Sequence, residues 1–273
     1  MSAKLLYEGK AKKVFATEDP KQVWVEFKDD ATAFNGQKRG QITGKGIINA
    51  ALSAHLFRLL GQRGIATHFI DDPKPGHLLV ERLQIIPLEV VVRNRVAGSL
   101  QKRTGLKEGL SLTVPVVEMY YKSDSLGDPL LNDDHIRLLN LASADLTARL
   151  KAQALLINGV LAPYLDQRGL VLVDFKLEFG LNDDGDLRLG DEISPDTCRL
   201  WHQAHSHHID QRIRVINLAV SHAPGHSGDP NRIAIGPDAF HDAVLQSPCL
   251  RIGPEFQDIG DRNGSGPHGY DVS

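Results

Sequence analysis

The sequence predicts an α+β protein, because short strands gather near its start while two long helical patterns stand apart from each other. Residues 4–7, 13–15 and 23–27 alternate apolar and polar side chains as half-buried strands do, with turn residues between them. Shorter strands are expected at residues 67–70 and 78–80. Strands grouped in this way indicate a small antiparallel sheet, not the regular βαβ alternation of a parallel sheet.

Two helices are expected from apolar spacing and from start and stop signals. After Gly44, apolar residues recur at spacings of four, four and three, which places them on one face of a helix: Ile48, Leu52, Leu56 and Leu59. This helix is expected to end near residues 61–64. The second helix begins at Ser143, a favourable N-cap residue, and Gly169 supplies its stop.

Composition limits the classes of function. An apolar fraction of 41% with 24% charged residues is that of a globular protein with a buried core. The formal charge of -3 gives no general attraction for nucleic acids or anionic membranes, so an anionic ligand must be held by locally placed Lys and Arg. We therefore expect small-molecule ligands, with neither nucleic acid nor membrane as a partner.

Cysteine usage and apolar runs indicate the compartment. The two cysteines, Cys198 and Cys249, lack CxxC spacing and are expected to be reduced thiols. Neither the apolar core of a signal peptide nor an apolar stretch of about 18 residues is present. A cytoplasmic protein is expected, and its oligomeric state, a homo-oligomer included, is left open.

A predicted hairpin carries the most informative chemistry. In residues 170–180 (LVLVDFKLEFG) the second half alternates, so Asp174, Lys176 and Glu178 share one face of a strand. A two-residue turn at Asp184 and Gly185 would place Glu178 opposite Asp191, with Cβ atoms roughly 4.5–5.5 Å apart. A divalent cation relieves the repulsion between two such carboxylates, and Mg²⁺ is held in this way together with substrate phosphates. Glu178 and Asp191 are therefore predicted metal ligands.

The alternative interpretation of this hairpin is a solvated polar face on which Lys176 neutralises its neighbours, since charged strand faces are common. Spacing alone leaves both interpretations open.

Two groups of basic residues suit phosphates. Arg93 and Arg95 project to one side of a predicted strand, followed by Gly98 and Ser99 in a small-residue turn. Two guanidinium groups near a hydroxyl and a glycine are typical of a phosphate or carboxylate site. Two arginines before a turn are also common as plain surface residues.

A glycine followed by lysines near the N-terminus forms the second basic group. After Gly9, Lys10 and Lys12 share one face and could present two ammonium groups to a polyphosphate. The segment is not a Walker A loop. A short lysine run on a strand edge also serves to discourage aggregation, which is the alternative interpretation.

Long motifs in this chain resemble the phosphoribosylaminoimidazole-succinocarboxamide synthase (SAICAR synthetase) family. Residues 86–99 (IPLEVVVRNRVAGS) and 172–180 (LVDFKLEFG) match the family's two signature motifs. Residues 7–12, 121–129 and 190–196 also look like family segments in the expected order, as does the Phe-Asn-Gly turn at 34–36. The resemblance covers residues 4–201.

The resemblance implies a two-lobed, ATP-grasp-like α+β fold with ATP between the lobes. Residues 1–80 would form an N-terminal antiparallel sheet lobe with one helix. Residues 81–201 would form a mixed α/β second lobe that binds substrate, Mg²⁺ and ATP, and residues 202–273 an atypical tail.

The implied reaction joins carboxyaminoimidazole ribonucleotide to L-aspartate and cleaves ATP to ADP. The carboxylate is activated as an acyl phosphate, and the amine of aspartate attacks it to form an amide. Such chemistry depends on positioning and on stabilisation of a moving phosphoryl group, for which Lys, Arg, carboxylates and Mg²⁺ are suited.

Carried over by motif, Lys10 and Lys12 would contact ATP phosphates. Glu178 and Asp191 would bind Mg²⁺, in agreement with the hairpin argument. The phosphate of the ribonucleotide would be held by Arg93, Ser99 and Arg199.

The remaining implied roles concern the reacting groups. Lys176 would stabilise charge on the transferring phosphoryl or activated carboxylate, and Asp174 and Asp196 would orient substrate groups. Lys122 and Asp128 would contact substrate from a loop.

After Trp201 the chain departs from the family pattern. Eight of the 12 His lie beyond it, no Lys follows Lys176, and Gly and Pro are frequent, so loop or disorder is expected. Three explanations compete: a reading-frame change, which is favoured, a divergent natural extension, or a metal site built from histidines. The tail also raises a rival function, that of a nucleotide-binding but catalytically inactive family member.

Overall fold

The computed structural model describes residues 4–33 and 38–203 and is built from antiparallel strands with four α-helices in those ranges. The helices are α1 Lys45–Gln62, α2 Gly98–Thr104, α3 Asp133–Leu138 and α4 Ala144–Asp166. The strands are β1 Leu5–Glu8, β2 Lys12–Ala16, β3 Gln22–Phe27, β4 Asp30–Ala33, β5 Lys38–Gln41, β6 Phe69–Asp71, β7 His77–Glu81, β8 Gln84–Arg95, β9 Ser111–Tyr121, β10 Leu130–Leu131, β11 Leu170–Leu181, β12 Leu187–Gly190 and β13 Cys198–His202.

The first sheet contains the N-terminal strands in the order β1-β2-β3-β7-β6, with antiparallel neighbours throughout. Strand β3 alternates half-buried and buried residues, because its apolar side chains face α1. Helix α1 covers this face with Ile48, Leu52, Leu56 and Leu60, all buried. The predicted α+β fold, with its small antiparallel sheet and its first helix, is confirmed.

The second sheet is longer and runs β10-β9-β8-β11-β12, with β13 pairing to β11. One face packs against α4, whose Leu150, Ile157 and Leu161 are fully buried. Helix α4 begins as predicted, since the Ser143 hydroxyl accepts a hydrogen bond from the Leu146 amide at 3.1 Å. The opposite face of the sheet carries charged residues.

A short parallel contact joins the two sheets. Thr67 bridges Leu189, the His68 amide donates to the Leu189 carbonyl at 2.8 Å, and the Leu189 amide donates to the Ala66 carbonyl at 3.1 Å. The end of β12 is thereby held against the segment that precedes β6. Of the helices in the described ranges, none has the length and apolar character needed to cross a membrane.

The domain division stays a prediction. The first sheet ends with β7 at Glu81 and the second begins with β8 at Gln84, close to the expected boundary at residue 80. The expected tail, residues 202–273, lies outside the described residues from residue 204 onward.

Candidate active site

The charged face of the second sheet brings together residues from three strands. Antiparallel pairing sets Arg93 of β8 opposite Asp174 of β11, and Val91 opposite Glu118 of β9. Because alternate residues of a strand share a face, Arg93, Glu118 and Asp174 lie on the same side of the sheet. Arg199 of β13 also pairs opposite Asp174 and joins this group.

These residues form a line of alternating charges, here called the charge chain: Arg199, Asp174, Arg93, Glu118 and Arg103. One Asp174 oxygen accepts from Arg93 Nη1 at 2.9 Å and lies 3.4 Å from Arg199 Nη1. Glu118 accepts from Arg93 Nε at 2.8 Å and, through its other oxygen, from Arg103 Nη2. Two buried carboxylates are thus shared among three guanidinium groups.

Arg93 is the buried centre of the charge chain. Besides its two carboxylate partners, its Nη2 donates to Ser99 Oγ at 2.8 Å and to the Tyr120 hydroxyl at 3.2 Å. Burial alone lowers the pKa of Arg93, but its hydrogen bond to Glu118 and the charge of Glu118 raise it overall. Arg93 and Ser99, both predicted phosphate ligands, are therefore in direct contact.

Burial also governs the two carboxylates of the charge chain. Burial raises the pKa of Asp174, and the charges of Arg199 and Arg93 only partly oppose this. Burial opposes ionisation of Glu118 as well, but the Arg93 and Tyr120 hydrogen bonds lower its pKa overall.

Gly98, the first residue of α2, allows Arg199 to approach the start of that helix. A Cβ atom at Gly98 would lie 2.6 Å from Arg199 Nη2, and Gly98 has a positive φ of 55° that favours glycine. The guanidinium group of Arg199 therefore occupies the space that a side chain at residue 98 would need.

A second cluster contains the predicted metal ligands. Lys12 of β2 pairs with Asp191 and, at 2.9 Å, with Glu192, while Lys122 pairs with Glu178. Burial, followed by the negative charge of Asp191, raises the pKa of Glu178. Burial opposes ionisation of Asp191, but the charge of Lys12 lowers its pKa overall. The two carboxylates are close enough to repel each other, and each is balanced by a lysine.

The predicted register of the hairpin is wrong by one residue. Glu178 lies opposite Gly190, not Asp191. The Asn182 side chain accepts hydrogen bonds from the amides of Asp184 and Asp186, which closes a three-residue loop in place of the predicted two-residue turn. Asp191 follows the strand with a φ of 56° and still acts on Glu178 through its charge.

Mg²⁺ fits this pair of carboxylates. In the described part of the chain, no group of three or more His, Cys, Asp or Glu side chains could hold a metal ion by itself. Mg²⁺ needs no such cage, because one or two carboxylates with water and substrate phosphates complete its octahedron. Glu178 and Asp191 meet that requirement.

The other predicted site residues lie around these two clusters. Lys176 is half exposed and its ammonium contacts the Glu89 carboxylate of β8 at 3.2 Å, a partner that is neither of its face neighbours Asp174 and Glu178. Lys10 pairs with Asp124 at 3.1 Å on the surface, and Asp128 accepts from the Ser123 amide at 2.9 Å.

Asp196 lies against α1. Its carboxylate pairs with the buried Lys45 and accepts from Asn49 Nδ2 at 3.1 Å. Ser53 of the same helix donates to the Ile193 carbonyl at 3.1 Å. Three polar residues spaced by four along α1 therefore hold the segment that follows Asp191.

Sequence reasoning missed several of these partners: Lys45, Asn49, Arg103, Glu118, Tyr120 and Glu192. Alternation in residues 116–120 (VVEMY) could have placed Glu118 and Tyr120 on one strand face. The spacing of four between Lys45 and Asn49 could have marked a polar stripe on α1.

Comparison with known proteins gives a consistent result. The family model described as SAICAR synthetase matches residues 5–216. A phosphoribosylaminoimidazole-succinocarboxamide synthase of Brevibacillus brevis is 54% identical over 76% of this chain and 86% of the relative. The enzyme of the same name from a Synechococcus strain is 55% identical over 92% of this chain and 96% of the relative.

The Synechococcus alignment bears on the C-terminal region. Because the first 201 residues make up only about three quarters of the 273, an alignment that covers 92% of the chain extends well past Trp201. The alignment with the Brevibacillus brevis relative is shorter, at 206 residues.

Solved structures agree with the sequence comparisons. A structure described as SAICAR synthetase (Type-2) in complex with ADP is 51% identical, with a TM-score of 0.71 over 73% of this chain and 85% of that one. The phosphoribosylaminoimidazole-succinocarboxamide synthase of Ehrlichia chaffeensis is 43% identical, with a TM-score of 0.72 over 74% and 87%. The chain belongs to the SAICAR synthetase family, the ligases of purine biosynthesis.

Proposed function

We propose that this chain joins carboxyaminoimidazole ribonucleotide to L-aspartate and yields the succinocarboxamide product, ADP and phosphate. One observation carries the proposal beyond family membership. Glu178 and Asp191, balanced by Lys122 and Lys12, lie on β11 and directly after β12, in the same sheet that carries the arginine-rich charge chain. Strand β11 carries both Glu178 and Asp174, so a polyphosphate and a ribonucleotide phosphate can be bound along one strand.

The triphosphate end of the site consists of Lys10, Lys12, Glu178 and Asp191. Lys10 and Lys12 are proposed to contact the phosphates of ATP, and the ADP bound in the related structure supports nucleotide use. Glu178 and Asp191 are proposed to hold Mg²⁺, which when bound offsets negative charge on the phosphates. Phosphates that enter here offer Lys12 a further anionic partner beside Asp191 and Glu192.

The ribonucleotide end consists of Arg93, Ser99, Arg199 and Asp174. The proposed phosphate position is next to Ser99, whose hydroxyl accepts from Arg93 and retains its own proton for donation. Asp174 holds Arg93 and Arg199 together and is proposed to orient the substrate through them.

The chemical steps need charge stabilisation and positioning. The carboxylate of the ribonucleotide attacks the γ-phosphorus of ATP, the bond to ADP breaks, and an acyl phosphate forms. The amine of aspartate then attacks the acyl carbon, phosphate leaves, and the amine nitrogen loses its proton. Lys176 is proposed to stabilise the charge that develops, since its exposed ammonium is held by the Glu89 carboxylate alone among the residues that the structure describes.

Three further residues are proposed to contact or orient substrate: Asp196, Lys122 and Asp128. Asp196 is pre-positioned by Lys45 and Asn49, so little freedom is lost when substrate binds. Lys122 connects its loop to Glu178, and Asp128 closes that loop on the Ser123 amide.

The rival function, a nucleotide-binding but inactive member, finds no support among the described residues. Every predicted site residue lies within residues 4–33 and 38–203. Each carboxylate of the two clusters has a cationic partner.

The cellular compartment and the oligomeric state of the chain are also proposed, and not from the geometry of the site. The low cysteine content and the free thiol of Cys198 support a reducing compartment, so we place the reaction in the cytoplasm. Fractionation of cells that express the chain tests this placement. Sedimentation of the purified chain shows whether it forms a homo-oligomer.

ADP release by the purified chain tests the proposed reaction, with ATP, Mg²⁺, carboxyaminoimidazole ribonucleotide and aspartate present and each omitted in turn. We expect turnover that depends on every component, and we expect Glu178→Gln to lower kcat by about 100-fold or more. ATP binding without aspartate-dependent turnover would overturn the proposal in favour of the inactive alternative.

A further inference from the structure

We propose that Arg103 is a further binding residue for the phosphate of the ribonucleotide, at the outer end of the charge chain. The inference rests on the proposed function and adds a residue that the family motifs did not indicate. Arg103 lies in the last turn of α2 and is bound to Glu118 of β9.

The three arginines of the charge chain differ in solvent exposure. The Arg93 side chain is 6% exposed, whereas those of Arg103 and Arg199 are each 36% exposed. Arg93 already makes four hydrogen bonds out of the five that a guanidinium can donate. A phosphate that arrives from solvent therefore meets Arg103 and Arg199 first, with Arg93 behind them.

The charge balance favours an anion at this place. Three guanidinium groups face two carboxylates, Asp174 and Glu118, which leaves one positive charge without a counter-charge in the charge chain. Both carboxylates are buried, at 9% and 8% exposure, so they cannot reach into solvent to bind a cation. The excess positive charge is therefore at the exposed ends.

Local geometry places Arg103 beside Ser99. The two residues are four apart in α2, so they lie on the same side of the helix. The Tyr120 hydroxyl accepts from both Arg93 Nη2 and Arg103 Nη1, each at 3.2 Å, and donates to Glu118 at 2.8 Å. Arg103 is thus joined to Arg93 through Glu118 and Tyr120, while Ser99 contacts Arg93 directly.

The simpler interpretation is that Arg103 only stabilises the fold, as a basic residue in the last turn of a helix paired with a carboxylate. That role predicts the same effect of a substitution on every ligand. A role in phosphate binding predicts an effect only on ligands that carry the phosphate, and this difference makes the two separable.

Calorimetric titration of Arg103→Gln and the unaltered chain tests the proposal with two probes. The first is aminoimidazole carboxamide ribonucleotide, in which a carboxamide replaces the carboxylate of the substrate, and the second is the corresponding riboside without phosphate. Arg58→Gln is the matched control, because Arg58 is 41% exposed and paired with Asp72. Thermal unfolding of all three proteins verifies the fold.

We expect Arg103→Gln to bind the ribonucleotide about 10- to 100-fold more weakly, the range of a hydrogen bond to a charged group. Riboside binding by Arg103→Gln, and all binding by Arg58→Gln, should stay within about 2-fold of the unaltered chain. Unchanged ribonucleotide binding, or equal losses for ribonucleotide and riboside, would overturn the proposal.

The proposed reaction and this inference can fail separately. If the unaltered chain shows no turnover but Arg103→Gln loses only phosphate-dependent binding, the reaction is wrong and the inference stands. If turnover is normal and phosphate-dependent binding does not change, the inference is wrong and the reaction stands.

Discussion

Lys12 in β2 forms an ion pair with Asp191, although 179 residues separate them in the chain. The pair connects the first sheet to the end of β12 and faces the buried carboxylate of Glu192 as well. Burial opposes the charge of Lys12, yet the two carboxylates raise its pKa overall. One ammonium group therefore balances the predicted metal ligand and is also proposed to bind ATP.

Replacement of Lys12 by Met should damage both stability and ATP binding. The change leaves two carboxylates without their cation in a largely buried place, which costs about 3 kcal/mol or more of unfolding free energy. Urea unfolding measures that loss, and the KM for ATP should rise about 10-fold or more. Lys13→Met is the control, because adjacent residues of a strand point to opposite faces. Equal losses in the two variants would contradict the prediction.

Lys176→Gln should lower kcat without affecting the fold. The Lys176 side chain is 46% exposed and contacts only Glu89 among the described residues, so unfolding free energy should change by less than about 0.5 kcal/mol. If a cation stabilises charge that develops only in the transition state, its removal lowers kcat and leaves KM nearly unchanged. We expect a kcat loss of about 100-fold.

Steady-state kinetics with each substrate varied in turn measures the effects on kcat and on KM separately. Lys107→Gln, also an exposed lysine, is the control and should retain full activity. A rise in KM for one substrate with kcat preserved would instead assign Lys176 to ground-state binding.

The thiol of Cys198, a half-buried residue, should make the fold sensitive to alkaline pH. Burial raises its pKa to about 12, whereas an unfolded thiol has a pKa of about 8.5. Below about pH 8.5 the Cys198 thiol is protonated in both the folded and the unfolded state, so its contribution to the unfolding free energy is fully present. As pH rises toward 12, only the unfolded state loses its proton, so stability is lost.

The size of the loss at pH 9.5 should be about 1 kcal/mol relative to pH 7.5. Chemical unfolding of the unaltered chain and of Cys198→Ala at both pH values isolates it, since other groups titrate equally in the two proteins. Cys198→Ala should be less stable at pH 7.5 because it leaves a cavity, but its additional loss at pH 9.5 should be smaller. Identical pH dependence in the two proteins would contradict the prediction.

Local patterns predicted much of the fold because they are encoded by neighbouring residues. The Ser143 cap and the alternation of β3 are both local, and both are present. The predicted register of the β11–β12 hairpin was wrong because the alternation of side chains does not specify the length of the loop. The side chain of Asn182 closes a wider loop, which shifts every cross-strand pair by one residue.

Long-range partners of the site could not be predicted from spacing. Asp196 was expected to orient substrate, but its partner Lys45 lies 151 residues earlier and meets it only through the packing of α1. Arg93 was expected to face a ligand directly, whereas Glu118 of β9 and Asp174 of β11 enclose it. Such pairs depend on sheet order, which the sequence alone left open.

Gly98→Ala should displace Arg199 and weaken ribonucleotide binding. The added Cβ would lie 2.6 Å from Nη2 and 2.8 Å from Nη1 of Arg199, and the guanidinium group, as the end of a long side chain, can move away. Movement of Arg199 removes its contact with Asp174 and its proposed contact with phosphate. We expect the KM for the ribonucleotide to rise about 10-fold or more.

Gly105→Ala is the matched control for this change. Gly105 also has a positive φ, of 69°, but an added Cβ there would meet no atom within 4 Å. Both variants should lose about 1 kcal/mol of unfolding free energy from left-handed backbone strain, because that cost does not depend on neighbours. Only Gly98→Ala should change the KM for the ribonucleotide. If both variants raise this KM equally, strain at the ends of α2, and not the displacement of Arg199, controls binding.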